Sequence, residues 1–302
     1  MKKFLRISLI AIVAIAGVVY AYRSYVKYKE KKEHQAWVAT LEHTASPNVQ
    51  NWTDTIRIEN LDEKRTLALY LPEGYATDSI DYPVIYFLDG QSLYDQKIQE
   101  GTEWEVDEVL DSIGTLGGQQ AIVVGIYSSE NRLKEYKPFP SDRWYSDRRG
   151  TTGDLHAQWI VQSLKPWIDA RFRTLPEAEH TVIAGASLGG LMSYYMLMTY
   201  PETFGNAIVF SPSFWVNESV YTLHEGNNSF ANQMIYFNAG ELETPTVQSI
   251  EKMHEILLAQ GMPPENMKLD VEAELGHWHL TWLNGFKKAY PWILTSSRKQ
   301  KS

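Results

Sequence analysis

The sequence predicts an α/β fold in which a mostly parallel central sheet carries helices on both faces and begins with antiparallel strands. Three observations lead to this prediction. Short apolar runs alternate along the chain with amphipathic segments of helical length. Two earlier segments alternate apolar and polar residues with a period of two, as half-exposed antiparallel strands do. Finally, 302 residues with 44% hydrophobic and 22% charged residues are an ordinary composition for one large globular domain.

Strands are predicted wherever the chain follows one of these apolar patterns. The alternating segments TDTIRIE and RTLALYL, joined by residues 59–63, are typical of a half-exposed antiparallel pair. Continuous apolar runs are typical of strands that are buried on both faces. The further strands are, in chain order, YPVIYFLDG, QAIVVGIYS, HTVIAG, NAIVFSP, NQMIYFNAG and NMKLDVEAELG.

Helices are predicted between these strands, where apolar residues recur at helical spacing. In chain order they are VDEVLDSIGTLG, DLHAQWIVQSLKPWIDARF, LGGLMSYYMLMTY, PTVQSIEKMHEILLAQG and HLTWLNGFKKAYPWIL. Gly261 is the expected end of the fourth helix, because glycine accommodates the left-handed backbone that commonly follows a helix. The alternation of strands with helices predicts one domain and no internal repeat.

The N-terminal segment is expected to lie outside this domain. Positively charged residues precede an uncharged apolar run at residues 7–22, a pattern typical of an exported protein. We therefore predict that residues 1–22 are a signal peptide or an N-terminal membrane anchor, and cleavage stays open. Residues 23–50 are predicted as a charged, helical spacer, residues 51–296 as the α/β domain and residues 297–302 as a C-terminal tail. The expected location is extracytoplasmic, either periplasmic or secreted.

The composition excludes several functions. The chain has no cysteine, which excludes disulfide bonds, thiolate zinc sites, iron–sulfur clusters and a cysteine nucleophile. Its 28 Lys and Arg residues against 37 Asp and Glu residues give a net charge of −9. This balance argues against a nucleic-acid partner, because binding to phosphates needs clustered positive charge.

The segment Gly185-Ala186-Ser187-Leu188-Gly189 lies between a predicted strand and a predicted helix and indicates a nucleophilic serine. A tight strand-to-helix turn holds the serine in a strained backbone, so the residues beside it must be small. The turn also places Ser187 at a helix N-terminus, where unpaired N–H groups stabilise developing negative charge.

A serine nucleophile needs a base, and four histidines follow Ser187 in the chain. His254 lies in an amphipathic helix, and His224 lies in a polar stretch with no strand end beside it. His277 directly follows the last predicted strand, where parallel strands assemble a site, and is the preferred base. His279 stays the alternative. No HExxH pattern accompanies these histidines, so no metal is predicted.

The acid that orients the histidine is expected between the serine and the histidine in the chain. The strand before the last one ends at Gly240, and Glu241 and Glu243 follow it. The pattern alone leaves both glutamates open. Asp270 lies inside the last strand and is ranked below them.

Several longer segments resemble the putative-esterase family of the α/β-hydrolase superfamily. This family groups enterochelin esterase-like, esterase D-like and feruloyl or acetylxylan esterase-like enzymes with the antigen 85 mycolyltransferases. The resemblance runs from about Asn51 to Ile293 and rests on YPVIYFLDGQ, IVVGIYSSENRLKEYKP, LKPWIDARFRT, HTVIAGASLGGLMSYYMLMTYPETFG, FSPSFW and GHWHLTW. It implies an α/β-hydrolase fold, a Ser–acid–His triad and no cofactor.

The resemblance also implies which residues form the triad with Ser187. The family histidine follows a glycine and precedes a tryptophan by five residues, which matches His277 and Trp282. The family acid commonly stands three residues after the glycine that ends its strand, which selects Glu243 over Glu241.

The same resemblance implies an oxyanion hole made of two backbone N–H groups. One belongs to Leu188, directly after the nucleophile, and the other to Gln91 in the turn after an early strand. Many relatives have His-Gly before the second position. This chain has Asp89-Gly90 there, which is similar to the enterochelin esterase-like branch.

These residues together predict a serine carboxylic-ester hydrolase that works through an acyl-enzyme on a small-molecule ester. Siderophore, feruloyl and acetylated-sugar esters are the expected substrates. The loop between Tyr127 and Gly150 is too long for a simple connection and is expected to line the site. Its aromatic and arginine side chains suit such esters, although they could equally pack the loop: Arg132, Tyr136, Phe139, Arg143, Trp144, Tyr145, Arg148 and Arg149. Trp215 and Trp278 are expected nearby.

Two alternatives remain from other classes. An acyltransferase would use the same triad but would pass the acyl group to an alcohol instead of water. A non-catalytic binding protein would keep the fold without the reaction.

Overall fold

The computed structural model describes residues 2–61, 63–141, 150–225 and 232–299. The strands in these ranges are β1 Val49–Ile58, β2 Glu63–Tyr70, β3 Val84–Leu88, β4 Ile122–Ile126, β5 Thr181–Ala186, β6 Asn206–Phe210, β7 Met234–Gly240 and β8 Met267–Glu272. They form a sheet in the order β1-β2-β4-β3-β5-β6-β7-β8. The β1–β2 and β2–β4 pairs are antiparallel and the other pairs are parallel, which confirms the predicted fold class.

Helices cover both faces of this sheet. The helices of the described ranges are α1 Lys2–Val38, α2 Val106–Thr115, α3 Arg132–Glu135, α4 Gly153–Trp159, α5 Lys165–Asp169, α6 Leu188–Thr199, α7 Thr244–Ala259 and α8 His279–Lys299. Side chains of α2 and α8 belong to one buried cluster, and side chains of α4 to α7 belong to the other. Within β3, Ile85 and Phe87 face the first cluster and Tyr86 and Leu88 the second, because successive side chains of a strand point to opposite faces.

Strand β2 is more buried than its sequence predicts. Leu67, Ala68, Leu69 and Tyr70 are all buried. Ala68 and Tyr70 pack in the cluster that contains α2, whereas Leu67 and Leu69 pack in the cluster of α4 to α7. The prediction of a half-exposed strand is therefore wrong for this half of β2, since helices cover both of its faces.

The helix predicted around DLHAQWIVQSLKPWIDARF contains a π-helical turn at Ile160–Leu164, between α4 and α5. Pro166 follows this turn. Because proline has no N–H, it cannot donate the α-helical hydrogen bond to the carbonyl of Gln162. The π-helical turn therefore lies where the proline removes an α-helical hydrogen bond.

The end of α1 and the residues after it contact the α/β domain. Trp37 lies against Gly101, where a Cβ atom would be 2.8 Å from Trp37 Cζ3. His34 Nε2 lies 2.7 Å from Glu100 Oε2. Of the helices in the described part of the chain, none combines the length and the hydrophobicity that crossing a membrane requires. The assignment of residues 1–22 to a signal peptide or an anchor stays a prediction.

Candidate active site

Ser187 lies at the sharp turn between β5 and α6. Its backbone is strained, with φ 59° and ψ −118°. The turn is closed by hydrogen bonds from Ser187 N to Phe210 O at 3.0 Å and from Ser213 N to Ser187 O at 2.9 Å. A Cβ atom on Gly185 would lie 2.7 Å from the carbonyl carbon of Gly189, which explains the small residues on either side. The arrangement is the one that the sequence predicts for a nucleophilic serine.

Two backbone N–H groups near this turn have no acceptor among the described residues, those of Leu188 and Gln91. Leu188 is the first residue of α6, so no carbonyl of the helix can accept from it. The Gln91 side chain is fixed by Ser128: Nε2 donates to Ser128 Oγ at 2.8 Å, and Oε1 accepts from Ser128 N at 3.1 Å. Gln91 and Ser187 line the same cleft.

His277 and Glu243 are joined by a short hydrogen bond, with 2.5 Å between His277 Nδ1 and Glu243 Oε2. The other carboxylate oxygen, Oε1, accepts from Ser211 Oγ at 2.7 Å and from Gly240 N at 3.0 Å. Burial by itself raises the pKa of Glu243, but the hydrogen bonds from His277, Gly240 and Ser211 outweigh it and lower the pKa below its usual value. Glu243 is therefore held as a buried carboxylate beside the imidazole.

Ser211 and Trp282 extend this group. Trp282 Nε1 donates to Ser211 Oγ at 3.0 Å, and the Trp282 ring meets the His277 ring edge to face at 5.3 Å. Trp282 thus contacts His277 directly and is connected to Glu243 through Ser211. Sequence reasoning assigned no role to Ser211, although FSPSFW, which contains it, supported the family resemblance.

Ser187 and His277 are not hydrogen bonded to each other in this structure. The Ser187 hydroxyl lies 3.3 Å from Ser213 Oγ instead. His277 Nε2, by contrast, makes no hydrogen bond with a described residue. The two side chains must therefore approach each other before the imidazole can accept the serine proton.

The residues that the sequence left as alternatives for the base and the acid lie in different environments. His279 lines the cleft, where burial lowers its pKa, and it has no carboxylate partner among the described residues. Glu241 is exposed, and its Oε2 accepts from the Glu274 N–H at 2.9 Å. Asp270 pairs with Lys288 Nζ at 3.0 Å. The structure therefore brings Glu243, and not these acids, to the histidine.

A cleft of about 420 Å³ opens over Ser187. Three tryptophans line it, Trp104, Trp278 and Trp282, and Trp104 packs on Trp282 with 4.9 Å between ring centroids. Trp278 was expected near the site and is there, whereas Trp104 was not anticipated. Its position follows from the loop before α2, a segment without a recognisable motif.

Arg132 and Asp89 form a two-pronged ion pair at the edge of this cleft. Arg132 Nε donates to Asp89 Oδ1 and Nη2 donates to Asp89 Oδ2, both at 2.7 Å. Tyr136 supports the pair, because its hydroxyl accepts from the Asp89 N–H at 3.0 Å and its ring lies under the guanidinium. Phe139 of the same loop packs on Tyr195 instead. Five further predicted residues of this loop lie outside the described residues: Arg143, Trp144, Tyr145, Arg148 and Arg149.

The family comparison matches most of the domain. The sequence profile of the family described as Putative esterase matches residues 58–285. The chain is 28% identical to the uncharacterized protein YbbA of Bacillus subtilis, over 78% of this chain and 94% of that protein. It is 25% identical to the iron(III) enterobactin esterase of Dickeya dadantii, over 88% of this chain but 60% of that protein.

Solved structures confirm the fold. The BES protein from Bacillus cereus superposes with a TM-score of 0.65 at 21% identity, over 84% of this chain and 97% of the other. An IroE-like serine hydrolase from Shewanella oneidensis superposes with a TM-score of 0.60 at 20% identity, over 80% of each chain. The predicted α/β-hydrolase architecture is thereby confirmed.

Proposed function

This chain belongs to the Putative esterase family and is a carboxylic ester hydrolase, and we propose that Ser187, His277 and Glu243 perform its reaction through an acyl-enzyme. One observation carries the proposal. A histidine bonded to a buried carboxylate at 2.5 Å accompanies a serine held in the strained turn at the start of α6. Base, orienting acid and nucleophile are the three parts that such a reaction needs.

In the proposed reaction His277 accepts the Ser187 proton while Oγ attacks the ester carbonyl carbon. Glu243 fixes the imidazole tautomer and stabilises the imidazolium that forms. The N–H groups of Leu188 and Gln91 bind the oxyanion. His277 then gives the proton to the leaving alcohol, and the same base activates the water that releases the acid.

The substrate we propose is an ester that carries a planar, hydroxylated aromatic group, as catecholate siderophores and feruloyl esters do. The tryptophans of the cleft offer flat apolar surface, and Arg132 offers hydrogen-bond donors to hydroxyl or carboxylate oxygens. Relatives include an iron(III) enterobactin esterase and an endo-1,4-beta-xylanase/feruloyl esterase. An acetylated sugar is less well supported, because an acetyl group would leave most of the aromatic surface uncovered.

Hydrolysis of p-nitrophenyl acetate and p-nitrophenyl butyrate by the full chain tests the reaction. Replacing the nucleophile should lower kcat by about 10⁶-fold, so Ser187→Ala should show no turnover. Ser193→Ala is the matched control, because Ser193 is buried in α6 and its hydroxyl bonds, among the described residues, only the Gly189 carbonyl. Full activity in Ser187→Ala would refute the proposed nucleophile.

Two further measurements separate the alternatives. Added alcohol that captures the acyl group in preference to water would favour an acyltransferase. A folded protein that binds feruloyl or catecholate esters without hydrolysing any ester would favour a binding function.

We also propose that residues 1–22 direct export, so that the substrate is met outside the cytoplasm. The basic residues followed by the apolar run support this location. Fractionation of cells that express the full chain, with the mass of the recovered protein, tests both export and cleavage.

A further inference from the structure

Three carboxylates cluster at the start of α2, outside the proposed triad. One oxygen each from Glu103, Asp107 and Glu108 lies within 4.8 Å of the others. Glu103 and Asp107 are held in place from the N-terminal side of the domain. Glu103 Oε1 accepts from Thr44 Oγ1 at 2.6 Å, and Asp107 Oδ2 accepts from Ser46 N at 2.7 Å.

Two oxygens of this cluster are buried without a partner. Glu103 Oε2 and Asp107 Oδ1 receive no hydrogen bond from a described residue outside the cluster, and within it the Asp107 carboxyl interacts with that of Glu108. The Asp107 side chain is completely buried, with 0% of its surface exposed. Buried carboxylate oxygens normally accept hydrogen bonds or contact a cation, so these two require a counterpart.

No lysine or arginine of the described ranges supplies that counterpart, because none forms an ion pair with Glu103, Asp107 or Glu108. The surrounding charge is negative instead. The carboxylates of Glu108, Asp95 and Glu105 lie near enough to Glu103 to repel its negative charge. A cation interacts most favourably with carboxylates that have no other positively charged partner.

We propose that Glu103, Asp107 and Glu108 bind a Ca²⁺ ion at the start of α2. Calcium prefers carboxylate oxygens, tolerates irregular geometry and completes its coordination with water. Magnesium demands a nearly ideal octahedron, and zinc prefers nitrogen or sulfur ligands, which this cluster does not contain.

An ion bound by this cluster would connect two parts of the domain. Thr102 and Trp104 flank Glu103 in the chain and both line the cleft. Through Thr44 and Ser46 the same carboxylates also hold the segment before β1. A bound ion would therefore fix one wall of the cleft to the N-terminal edge of the domain.

Terbium luminescence and thermal unfolding of the full chain test the site. Tb³⁺ replaces Ca²⁺ at oxygen sites, and Trp104, adjacent to Glu103, can sensitise its emission. We expect emission that Ca²⁺ displaces, with a Kd of about 10⁻⁴–10⁻³ M, as for weak extracellular calcium sites. Ca²⁺ at ten times this Kd should raise the Tm by about 3 °C relative to EDTA.

Glu108→Gln is the decisive variant, because Glu108 is exposed and its loss should not disturb folding. It should weaken Ca²⁺ binding at least tenfold. Glu255→Gln makes the same charge change on the exposed side of α7 and should leave binding unchanged. Asp107→Asn keeps an oxygen for Ser46 N and gives a second variant.

Three results would overturn the proposal. The first is the absence of Ca²⁺-displaceable emission together with a Tm that Ca²⁺ does not change. The second is unaltered affinity in both Glu108→Gln and Asp107→Asn. The third is an equal loss of affinity in Glu255→Gln, which would indicate general attraction to an acidic protein. Esterase activity enters none of these measurements, so the inference stands or falls separately from the proposed reaction.

Discussion

Ser211→Ala removes a hydroxyl that bonds both Glu243 and Trp282, and it tests whether this contact positions the proposed triad. Ser211 Oγ donates to Glu243 Oε1 at 2.7 Å and accepts from Trp282 Nε1 at 3.0 Å, in a fully buried position. A hydrogen bond to a charged group contributes about 1.5–3 kcal/mol. Because Gly240 N and His277 still bond Glu243 in the variant, we expect the lower end of this range, which corresponds to about a tenfold loss of kcat.

The assay is steady-state hydrolysis of p-nitrophenyl butyrate, with kcat and KM determined separately. Ser211 does not line the cleft, so KM should stay within about twofold of the wild-type value while kcat falls. Ser193→Ala, which also removes a buried hydroxyl, should change neither constant. An unchanged kcat in Ser211→Ala, or a loss confined to KM, would refute the positioning role of Ser211.

Three further changes have defined outcomes. Burial lowers the pKa of His156 to about 3, so between pH 6.5 and 3 the unfolded chain binds a proton that the folded chain does not. The free energy of unfolding in urea should therefore fall by about 2 kcal/mol from pH 6.5 to pH 5, and by less in His156→Gln. In Gly90→Ala the new Cβ would lie 2.6 Å from Gly125 O, so the turn with the proposed oxyanion donor must shift and kcat for p-nitrophenyl butyrate should fall about 10²-fold. Arg132→Lys loses the two-pronged bond to Asp89 and should raise KM for methyl ferulate about tenfold but not KM for p-nitrophenyl acetate.

For each of these substitutions, one result would contradict the prediction. Parallel pH dependence of wild type and His156→Gln would show that His156 does not titrate on unfolding. Gly117→Ala is the control for Gly90→Ala, because a Cβ there meets no atom within 4 Å and the strain from its φ of 72° falls outside the residues that line the cleft. Equal activity losses would contradict the clash. Equal KM changes for both esters in Arg132→Lys would remove Arg132 from substrate selection.

The fold and the approach of the two segments that carry Glu243 and His277 follow from local patterns, because parallel strands end at one edge of the sheet. The two residues are 34 positions apart in the chain, yet β7 and β8 are neighbours, so the segments after them meet. The apolar runs locate β7 and β8 in the sequence, and the segments that follow these strands carry Glu243 and His277. The sequence pattern can therefore predict that these two segments meet, whereas the family resemblance was needed to select Glu243 over Glu241.

The rest of the site depends on loop conformations that no local pattern determines. Ser211 reaches Glu243 because its backbone has a φ of 39°, a left-handed conformation that its sequence does not demand. Trp104 lines the cleft because the loop before α2 folds back over the sheet. Asp89 meets Arg132 across 43 positions of the chain. Such contacts arise from packing between distant segments, and they require the three-dimensional structure.

The contact of Trp37 with Gly101 determines where the chain can be shortened without altering the cleft. Gly101 has a φ of 101° and lies between Gln99 and Thr102, which both line the cleft. A protein that begins at residue 34 keeps Trp37 over this glycine. One that begins at β1 lacks Trp37 and uncovers the segment that carries Gln99 and Thr102 at the cleft. Proteolysis or secretion that trims the chain beyond Trp37 would thus change substrate affinity while leaving the proposed triad intact.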